Sequence, residues 1–528
     1  MATRRRQRNC PGYLASGLLE LMAKHDAFDE GCCATPDSMM DGKSLLSNDS
    51  GKITYLDRTC HLRLGTGELF VFAVATRRVV KVLNLTSVLG SKALLANVEH
   101  DLSILEIYDY KFDDSSVVPC WKAKKLRKCE VTAFRFADSV TCQQWSNAIN
   151  HAILSQSPSP VHVNACSSEE AGMTVSDAYL LAPPRPKRFM VFVNPVSGSG
   201  RAVSIWRNQV EPIMNHAGVE VKLVITQYAN HARDIMEDFD PSAYDCIMTI
   251  GGDGMLFEVI NGLSTRSKGD GEQVLRSIPV APIPGGTGNG LAKSLLYESS
   301  EEYSVVNSTF MALKGTNETM DLSLVETPSQ TYRSFLLLGW GLISDIDLLS
   351  ESLRCLGEMR LYLAAAYFII RKRYYRGRLS MFTGGSDGTN GQKGLAKLPP
   401  LERTILPGNG WEVIDGYFLF VWIVQTSHVT SSMHSGPGVT SDDGMFTIFV
   451  VTDMGRFDIL RLLIAMDTGE HVNHPKVRTY KCTAYRIEPH NDPNNGGLYT
   501  LDGESVAYGP IQGIMHPGAA KTKKFRQL

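Results

Sequence analysis

The chain has 528 residues, enough for two or three domains, and its 43% hydrophobic content supplies sizeable buried cores. Its 53 Lys and Arg against 55 Asp and Glu leave a net charge of -2, which excludes a whole-protein field for nucleic acid; an anionic partner has to be met locally. Eleven scattered cysteines with no C-x-x-C pair argue against a disulfide framework or a zinc site and for a reducing, cytoplasmic setting.

In chain order, residues 1–50 mix Ser, Asp, Gly and Cys without periodicity and read as a flexible start. Residues 51–155 hold short strand-like runs (ELFVFAV, RVVKVLNL, SILEIYDY, VTAFRFA). A segment with Trp145, Ala148, Ile149 and Ala152 at helical spacing follows them. Several strands closed by a Trp-bearing helix resemble a pleckstrin-homology-like module. Its basic stretches, RRVVK and WKAKKLRK, suit anionic lipid headgroups or solvated loops equally. Residues 156–186, with SQSPSP and APPRPKR, read as a linker.

From 187 to 320, strand-like runs alternate with helix-like ones (FMVFVNP, AVSIWRNQVEPIMNHA, VEVKLVIT, HARDIMEDF, YDCIMTIGGDG, MLFEVINGL, PVAPIPGGTGNGLAKSLL). That alternation predicts an open parallel α/β sheet with its ligand at the carboxyl ends of the strands. From 321 to 518 the runs turn short and β-rich, predicting a mostly antiparallel domain with one helical interruption near Asp347 to Arg373. The apolar run Leu361 to Ile370 is about half a bilayer span, which suits a buried or interfacial helix. Residues 384–400 read as a disordered loop and 519–528 as a tail.

Three glycine clusters fall at strand ends: Asn194-Pro195-Val196-Ser197-Gly198-Ser199-Gly200, Gly251-Gly252-Asp253-Gly254, and Gly285-Gly286-Thr287-Gly288-Asn289. Glycine lets backbone approach a bulky anion and offers it free N–H groups beside the next helix's N-terminus. One such turn has a purely steric reading; three on one sheet edge point to a polyphosphate. Neither a Walker-A loop nor a protein-kinase H-R-D loop is present, and the spacing fits a dinucleotide fingerprint poorly. Asp253 is the acid inside a cluster. It either handles the proton or cation of a phosphoryl transfer or only bonds its own turn.

NPVSGSGRA, TIGGDGMLFEVINGL and IPGGTGNGLAKSL together resemble the diacylglycerol kinase catalytic-domain superfamily. WGLISDIDLLSESLRCLGEMR, YRGRL, LRLLIAMDTGEH and LDGESV narrow the resemblance to sphingosine kinases, over roughly residues 186 to 518. It implies ATP with Mg2+, whose ligands the sequence leaves unknown, and transfer to the primary hydroxyl of a sphingoid base. It implies Asp253 as general base, with Gly251, Gly252 and Gly254 lining the meeting point of hydroxyl and γ-phosphate. Nucleotide contacts carry over to Asn194, Pro195, Val196, Thr226, Gln227, Tyr228, Ala229, Asn230, Glu258, Gly286, Thr287 and Gly288. Arg354, Arg360, Asp502, Gly503 and Glu504 match the second domain's contribution to the nucleotide.

Asp347 matches the acid that recognises the lipid amine. On a helix, residues two apart point about 200° away from each other, so Asp345 and Asp347 cannot both face one pocket. Asp347 and Arg354, seven apart, return to nearly the same face, and Gly357 is expected to end the helix. A carboxylate paired with the ammonium rejects uncharged lipids, since losing one partner costs about 2–5 kcal/mol. Leu361, Leu363, Tyr367, Phe368 and Ile369 are candidates for the alkyl slot, where each methylene is worth roughly 0.8 kcal/mol. The sequence departs from the family pattern where Arg201 stands in for a turn lysine, at Leu337 for a serine, and at Cys355 for an arginine. The rival readings are a ceramide, diacylglycerol or acylglycerol kinase, a non-catalytic lipid-binding scaffold, and an NAD-kinase-like enzyme. A protein acting on a bilayer lipid is expected to contact membranes peripherally and reversibly.

Overall fold

The computed structural model describes residues 52–526, apart from 56–59, 65–66, 74–77, 98–101, 113–124, 137–138, 155–183, 198–199, 354–358, 385–397 and 491–496. The expected flexible start, most of the linker and the loop from 385 therefore lie outside the described residues.

The first part is a small β module. Strands β1 (Lys52–Tyr55), β5 (Val88–Asn97), β6 (Leu102–Phe112) and β7 (Arg127–Phe136) form one sheet, and β2 (Cys60–Leu64), β3 (Glu68–Ala73) and β4 (Val79–Asn84) form another. Helix α1 (Ser139–Leu154) buries Cys142, Trp145 and Ile149 against both. The period-2 strands and the 3.6-period helix point their apolar faces at one core, as the sequence pattern requires.

Two cations of the basic stretches, Lys81 and Arg127, are paired within the protein, while Arg78, Lys125 and Lys128 are exposed. Lys81 Nζ donates to Glu130 at 2.6 Å. Arg127 is partly buried, its Nη2 donating to Glu301 Oε1 at 2.6 Å and its guanidinium lying 3.9 Å from the Phe310 ring centre. Asn307 accepts from the Arg127 N–H at 3.0 Å, and Lys314 Nζ donates to the carbonyls of Leu85 and Val88. His216 stacks on Tyr108 with ring centres 3.9 Å apart, and burial pushes its imidazole down to about 4. Gly90 is required there, because a Cβ would stand 2.2 Å from the His216 carbonyl oxygen. Breaking one side of such a buried pair costs about 3–5 kcal/mol, so the module is part of the body it packs on.

The parallel sheet comes next: β8 (Arg188–Val193), β9 (Glu220–Ile225), β10 (Cys246–Gly251) and β11 (Pro279–Pro284), in the order β11-β10-β8-β9. Between β8 and β9 lie α2 (Ala202–Ile205), a π turn (Trp206–Val210) and α3 (Glu211–His216). The run expected to be one regular helix widens here because Pro212 cannot donate to the carbonyl four residues back. Glu211 N–H instead reaches Trp206, five back. Helix α4 (His231–Glu237) follows β9; α5 (Asp253–Ser264) and α6 (Gly271–Ser277) follow β10; α7 (Gly290–Glu298) and α8 (Val305–Lys314) follow β11. β10 and β11 are buried at every residue, the pattern of a parallel sheet covered on both faces.

The remainder is mostly antiparallel, as expected. It comprises β12 (Thr316–Glu326), β13 (Thr331–Ser334), β14 (Leu337–Gly341), α9 (Leu342–Ser352), α10 (Met359–Arg371), β15 (Tyr375–Phe382), β16 (Trp411–Phe418), β17 (Phe420–Val424) and β18 (Phe446–Val451). After these come α11 (Arg456–Ala465), β19 (Arg478–Cys482), β20 (Ala484–Pro489), β21 (Tyr499–Leu501), β22 (Glu504–Val506) and β23 (Ile511–Lys524). One sheet runs β19-β18-β17-β14-β21-β22; facing it, β15, β20 and β23 complete a sandwich around Trp340, Tyr375, Phe418 and Tyr485.

The tail expected from 519 is the second half of β23. Lys521 and Thr522 pair in parallel with Pro279 and Val280 of β11, while β12 pairs antiparallel along nearly the whole strand. HPGAAKTKK lacks apolar alternation; it is a strand because Ala519, Ala520 and Thr522 are buried between neighbours. A single ten-stranded sheet thus runs through both halves.

Candidate active site

The carboxyl ends of β8, β10 and β11 stand side by side, and their turns interlock. The Asn194 N–H donates to the Ile250 carbonyl at 3.2 Å, and its side-chain Oδ1 accepts from Val196 N–H at 3.0 Å, which shapes the first turn. Pro195 is half-buried and Val196 is exposed, while Gly198 and Ser199 lie outside the described residues.

The second and third glycine turns touch backbone to backbone. Gly285 N–H donates to the Gly251 carbonyl at 2.9 Å, and Asp253 N–H donates to the Gly288 carbonyl at 3.0 Å. A Cβ on Gly252 would lie 2.8 Å from the Gly288 oxygen, and one on Gly286 2.6 Å from the Gly252 nitrogen. Those two glycines are therefore required by turn-on-turn packing, whatever else the edge binds. Asn289 closes the turn, donating to the Gly286 carbonyl at 2.7 Å. Thr287 is exposed at its tip.

Asp253 is 7% exposed, at the start of α5. Its Oδ2 accepts from Gly290 N–H at 2.7 Å and its Oδ1 from Leu291 N–H at 3.2 Å, the first amides of α7. Burial pushes its carboxyl up to about 6, against the pull of those two amides. The acid thus bonds the neighbouring helix start rather than its own turn. Two of about four lone-pair sites are used, and the others can still accept a hydroxyl proton.

Beside β9, Thr226 is buried, whereas Gln227, Tyr228, Ala229 and Asn230 are exposed. Tyr228 stacks on His231 with centroids 4.5 Å apart, and Asn230 takes a left-handed conformation at φ 69°. Glu258 Oε2 accepts from Ala232 N–H at 3.3 Å, tying α5 to this segment, and burial raises its carboxyl.

The β21–β22 hairpin reaches the same edge. Asp502 and Gly503 both have positive φ, 52° and 88°, the form a two-residue Asp-Gly turn takes. The exposed Glu504 extends over Gly254, where a Cβ would lie 2.8 Å from its Oε1. Asp502, expected beside the nucleotide, points inward instead. Its Oδ1 accepts from Ser334 Oγ and the N–H groups of Leu336 and Leu337, and its Oδ2 from Phe335 N–H, all within 2.8–3.0 Å. Burial pushes this carboxyl up to about 7. The carboxylate ties the hairpin to the Ser334–Leu337 segment.

On α9, Asp345 is buried and accepts from the Tyr375 hydroxyl, while Asp347, on the opposite side, is half-buried. The helix ends at Ser352 with Leu353 as its cap, so its phase does not extend to Arg354. Arg354, Cys355 and Gly357 lie outside the described residues, as does the side chain of Arg360. Arg201 caps α2 at the mouth of the first turn, and Leu337 is 9% exposed in β14.

The proposed alkyl-slot set divides. Phe368 and Ile369 pack partly on the core, but Leu363 and Tyr367 are 48% and 44% exposed. LYLAAAYFII is apolar nearly all round, so its phase could not be read from pattern. Sequence reasoning also missed α11, where Phe457, Leu460 and Ile464 are exposed; the signal was Ile459, Leu462, Leu463 and Met466, apolar residues at helical spacing.

Among the described residues no group of three His, Cys, Asp or Glu could hold a metal ion, and no helix is long and apolar enough to cross a membrane.

Residues 188–325 match the diacylglycerol kinase catalytic domain, and residues 408–522 match the YegS C-terminal NAD kinase beta sandwich-like domain. The fold and the glycine-turn edge thus define a lipid kinase of the diacylglycerol kinase catalytic-domain class. The chain is 33% identical over 352 residues to sphingosine kinase 1 of Homo sapiens, covering 63% of this chain and 90% of that protein. It is 32% identical over 353 residues to that of Rattus norvegicus, with the same coverage, and 29% identical over 360 residues to sphingosine kinase 1 of Arabidopsis thaliana, covering 65% and 74%. The chain belongs to the sphingosine kinase family.

Proposed function

We propose that the protein transfers the γ-phosphoryl group of ATP to the primary hydroxyl of sphingosine or a related sphingoid base, with Asp253 as general base. The observation that carries this reading is a buried carboxylate raised toward neutrality at the junction of two glycine turns. A base poised near the working pH accepts a hydroxyl proton while still mostly ionised.

The nucleotide would lie along the turns at Asn194, Pro195 and Val196, the Thr226–Asn230 segment, and Gly286, Thr287 and Gly288. Exposed Val196, Tyr228 and Thr287 leave this edge open to a ligand of that size. The donor set fits a magnesium–phosphate group: Mg2+ typically takes one or two carboxylates plus phosphate oxygens, and Glu504 brings a carboxylate to Gly254. Bound there, the ion would neutralise charge on the phosphates. Asp253 would then hold the lipid hydroxyl in line and take its proton as the new O–P bond forms and the bond to the ADP oxygen breaks.

Asp347 would take the ammonium of the substrate, and its half-buried position supports that role against fully buried Asp345. Asp347→Asn is expected to raise KM for sphingosine at least tenfold with KM for ATP little changed, measured by steady-state kinetics. Labelled-ATP transfer to sphingosine, ceramide and diacylglycerol side by side tests the whole reading. Preference for either uncharged lipid would reject it.

Peripheral membrane contact has its support in the exposed Leu363, Tyr367 and Ile370 of α10 and Phe457, Leu460 and Ile464 of α11. Arg456 donates to the Ile370 carbonyl and joins the two helices. Phe457→Asp is expected to cut flotation with anionic vesicles at least fivefold while sparing turnover on detergent-dispersed lipid. Unchanged flotation would remove this surface from consideration. Deleting the whole N-terminal module is the poorer test, because it uncovers Phe310 and Glu301.

A further inference from the structure

The two acids of α9 are used in opposite ways. Asp345 is 6% exposed; the Tyr375 hydroxyl of β15 donates to its Oδ2, and the backbone N–H of Leu498 donates to the same carboxylate. One residue earlier, Ser344 Oγ meets Thr500 Oγ1 of β21 at 3.0 Å. Gly339 makes room for that pair, since a Cβ there would lie 2.7 Å from the first hydroxyl and 2.9 Å from the second. Two consecutive residues of α9 are thus fastened to the chain entering the hairpin that carries Asp502 and Glu504. Ser350, itself fully buried, donates its Oγ to the Asp347 carbonyl at 2.7 Å.

We propose that Asp345 and Tyr375 are positioning residues of the lipid site: together they set the roll of α9 that presents Asp347, and register it against the hairpin that lays Glu504 on Gly254. This rests on the reading of Asp347 as the amine acid. Side chains end roughly 6 Å from a helix axis, so a roll of about 20° moves the Asp347 carboxylate by about 2 Å. That displacement exceeds what a hydrogen bond to an ammonium tolerates. Apolar packing alone lets a helix roll between rotamers of its neighbours. A buried carboxylate held by a phenol and an amide has one orientation, and its desolvation is tolerated only while both donors stay in place. The clamp therefore links the amine end of the lipid site to the nucleotide end by one short hairpin.

The test is steady-state kinetics on the full chain, with sphingosine in detergent and ATP each varied in turn. Tyr375→Phe is expected to raise KM for sphingosine about tenfold, leave KM for ATP within twofold, and change turnover per folded molecule less than threefold. Asp345→Asn, which keeps one acceptor for the phenol, is expected to shift the same parameter by about threefold. If the first variant does not fold, Ser344→Ala removes only the hydroxyl pair and should raise the lipid KM two- to threefold. Both KM values unchanged, with turnover falling only in step with the folded fraction by circular dichroism, would show a merely structural role and overturn the proposal. A wild-type chain that phosphorylates some other lipid but not sphingosine would sink the functional reading and this inference together. Sphingosine turnover with an unmoved lipid KM in the variants would sink the clamp alone.

Discussion

Asp253→Asn is expected to lower turnover by about 10²–10⁴ while ATP still binds, because general-base catalysis contributes that much and an amide cannot take the proton. The structure adds a pH dependence. The carboxyl is raised to about 6 by burial, and only its ionised form can act as base. Turnover should therefore fall about tenfold per pH unit below about 6 and level off above it. In the Asn variant the residual rate should lose that inflection. A variant that kept wild-type turnover, or a wild-type profile flat from pH 5 to 8, would remove Asp253 from the chemistry. Its role would then reduce to bonding Gly290 and Leu291. Nucleotide affinity measured by calorimetry separates these cases: a collapsed α7 start would weaken ATP binding as well.

Asp502→Ala carries the second large effect, on stability. The substitution leaves the Ser334 hydroxyl and the N–H groups of Phe335, Leu336 and Leu337 without their acceptor inside the protein. Each buried unpaired donor costs about 1–3 kcal/mol. Removing the buried carboxylate recovers part of its own desolvation, seen in its rise to about 7, so a net loss of about 3 kcal/mol is expected. Urea denaturation followed by tryptophan fluorescence measures it, since Trp340 and Trp422 are both buried in the adjoining strands. A midpoint equal to that of the wild type would show that β14 does not depend on this carboxylate. Turnover should fall too, because Glu504 loses its fixed approach to Gly254.

Much of the fold was legible because its signals are local. Strand-turn-helix alternation gave the parallel sheet, though not its strand order of β11-β10-β8-β9. Helix geometry said only that Asp345 and Asp347 cannot share a pocket, and the family resemblance picked Asp347; the structure buries the two unequally. What stayed hidden is tertiary. Gly252 and Gly286 look like phosphate-binding glycines, yet each also clears backbone of the other turn, a contact no window of sequence contains. Asp502 was expected beside the nucleotide because of the family resemblance; that its carboxylate points inward is decided by the donors of the Ser334–Leu337 segment. Arg127 reads as one more cation in a basic run until Glu301 and Phe310 appear beside it. The exposure of Leu363 and Tyr367 could not be read because a helix apolar all round declares no face.

The shared strand β23 has a consequence for how the molecule is made. Residues 511–524 insert between β12 on one side and β20 and β11 on the other, so the parallel sheet keeps an open flank until the ribosome has delivered position 524. During synthesis the glycine turns would be translated, yet the edge of β11 would stay unpaired and prone to wrong partners. Folding of the early half must wait for the late half, which makes this a slow, high-contact-order assembly.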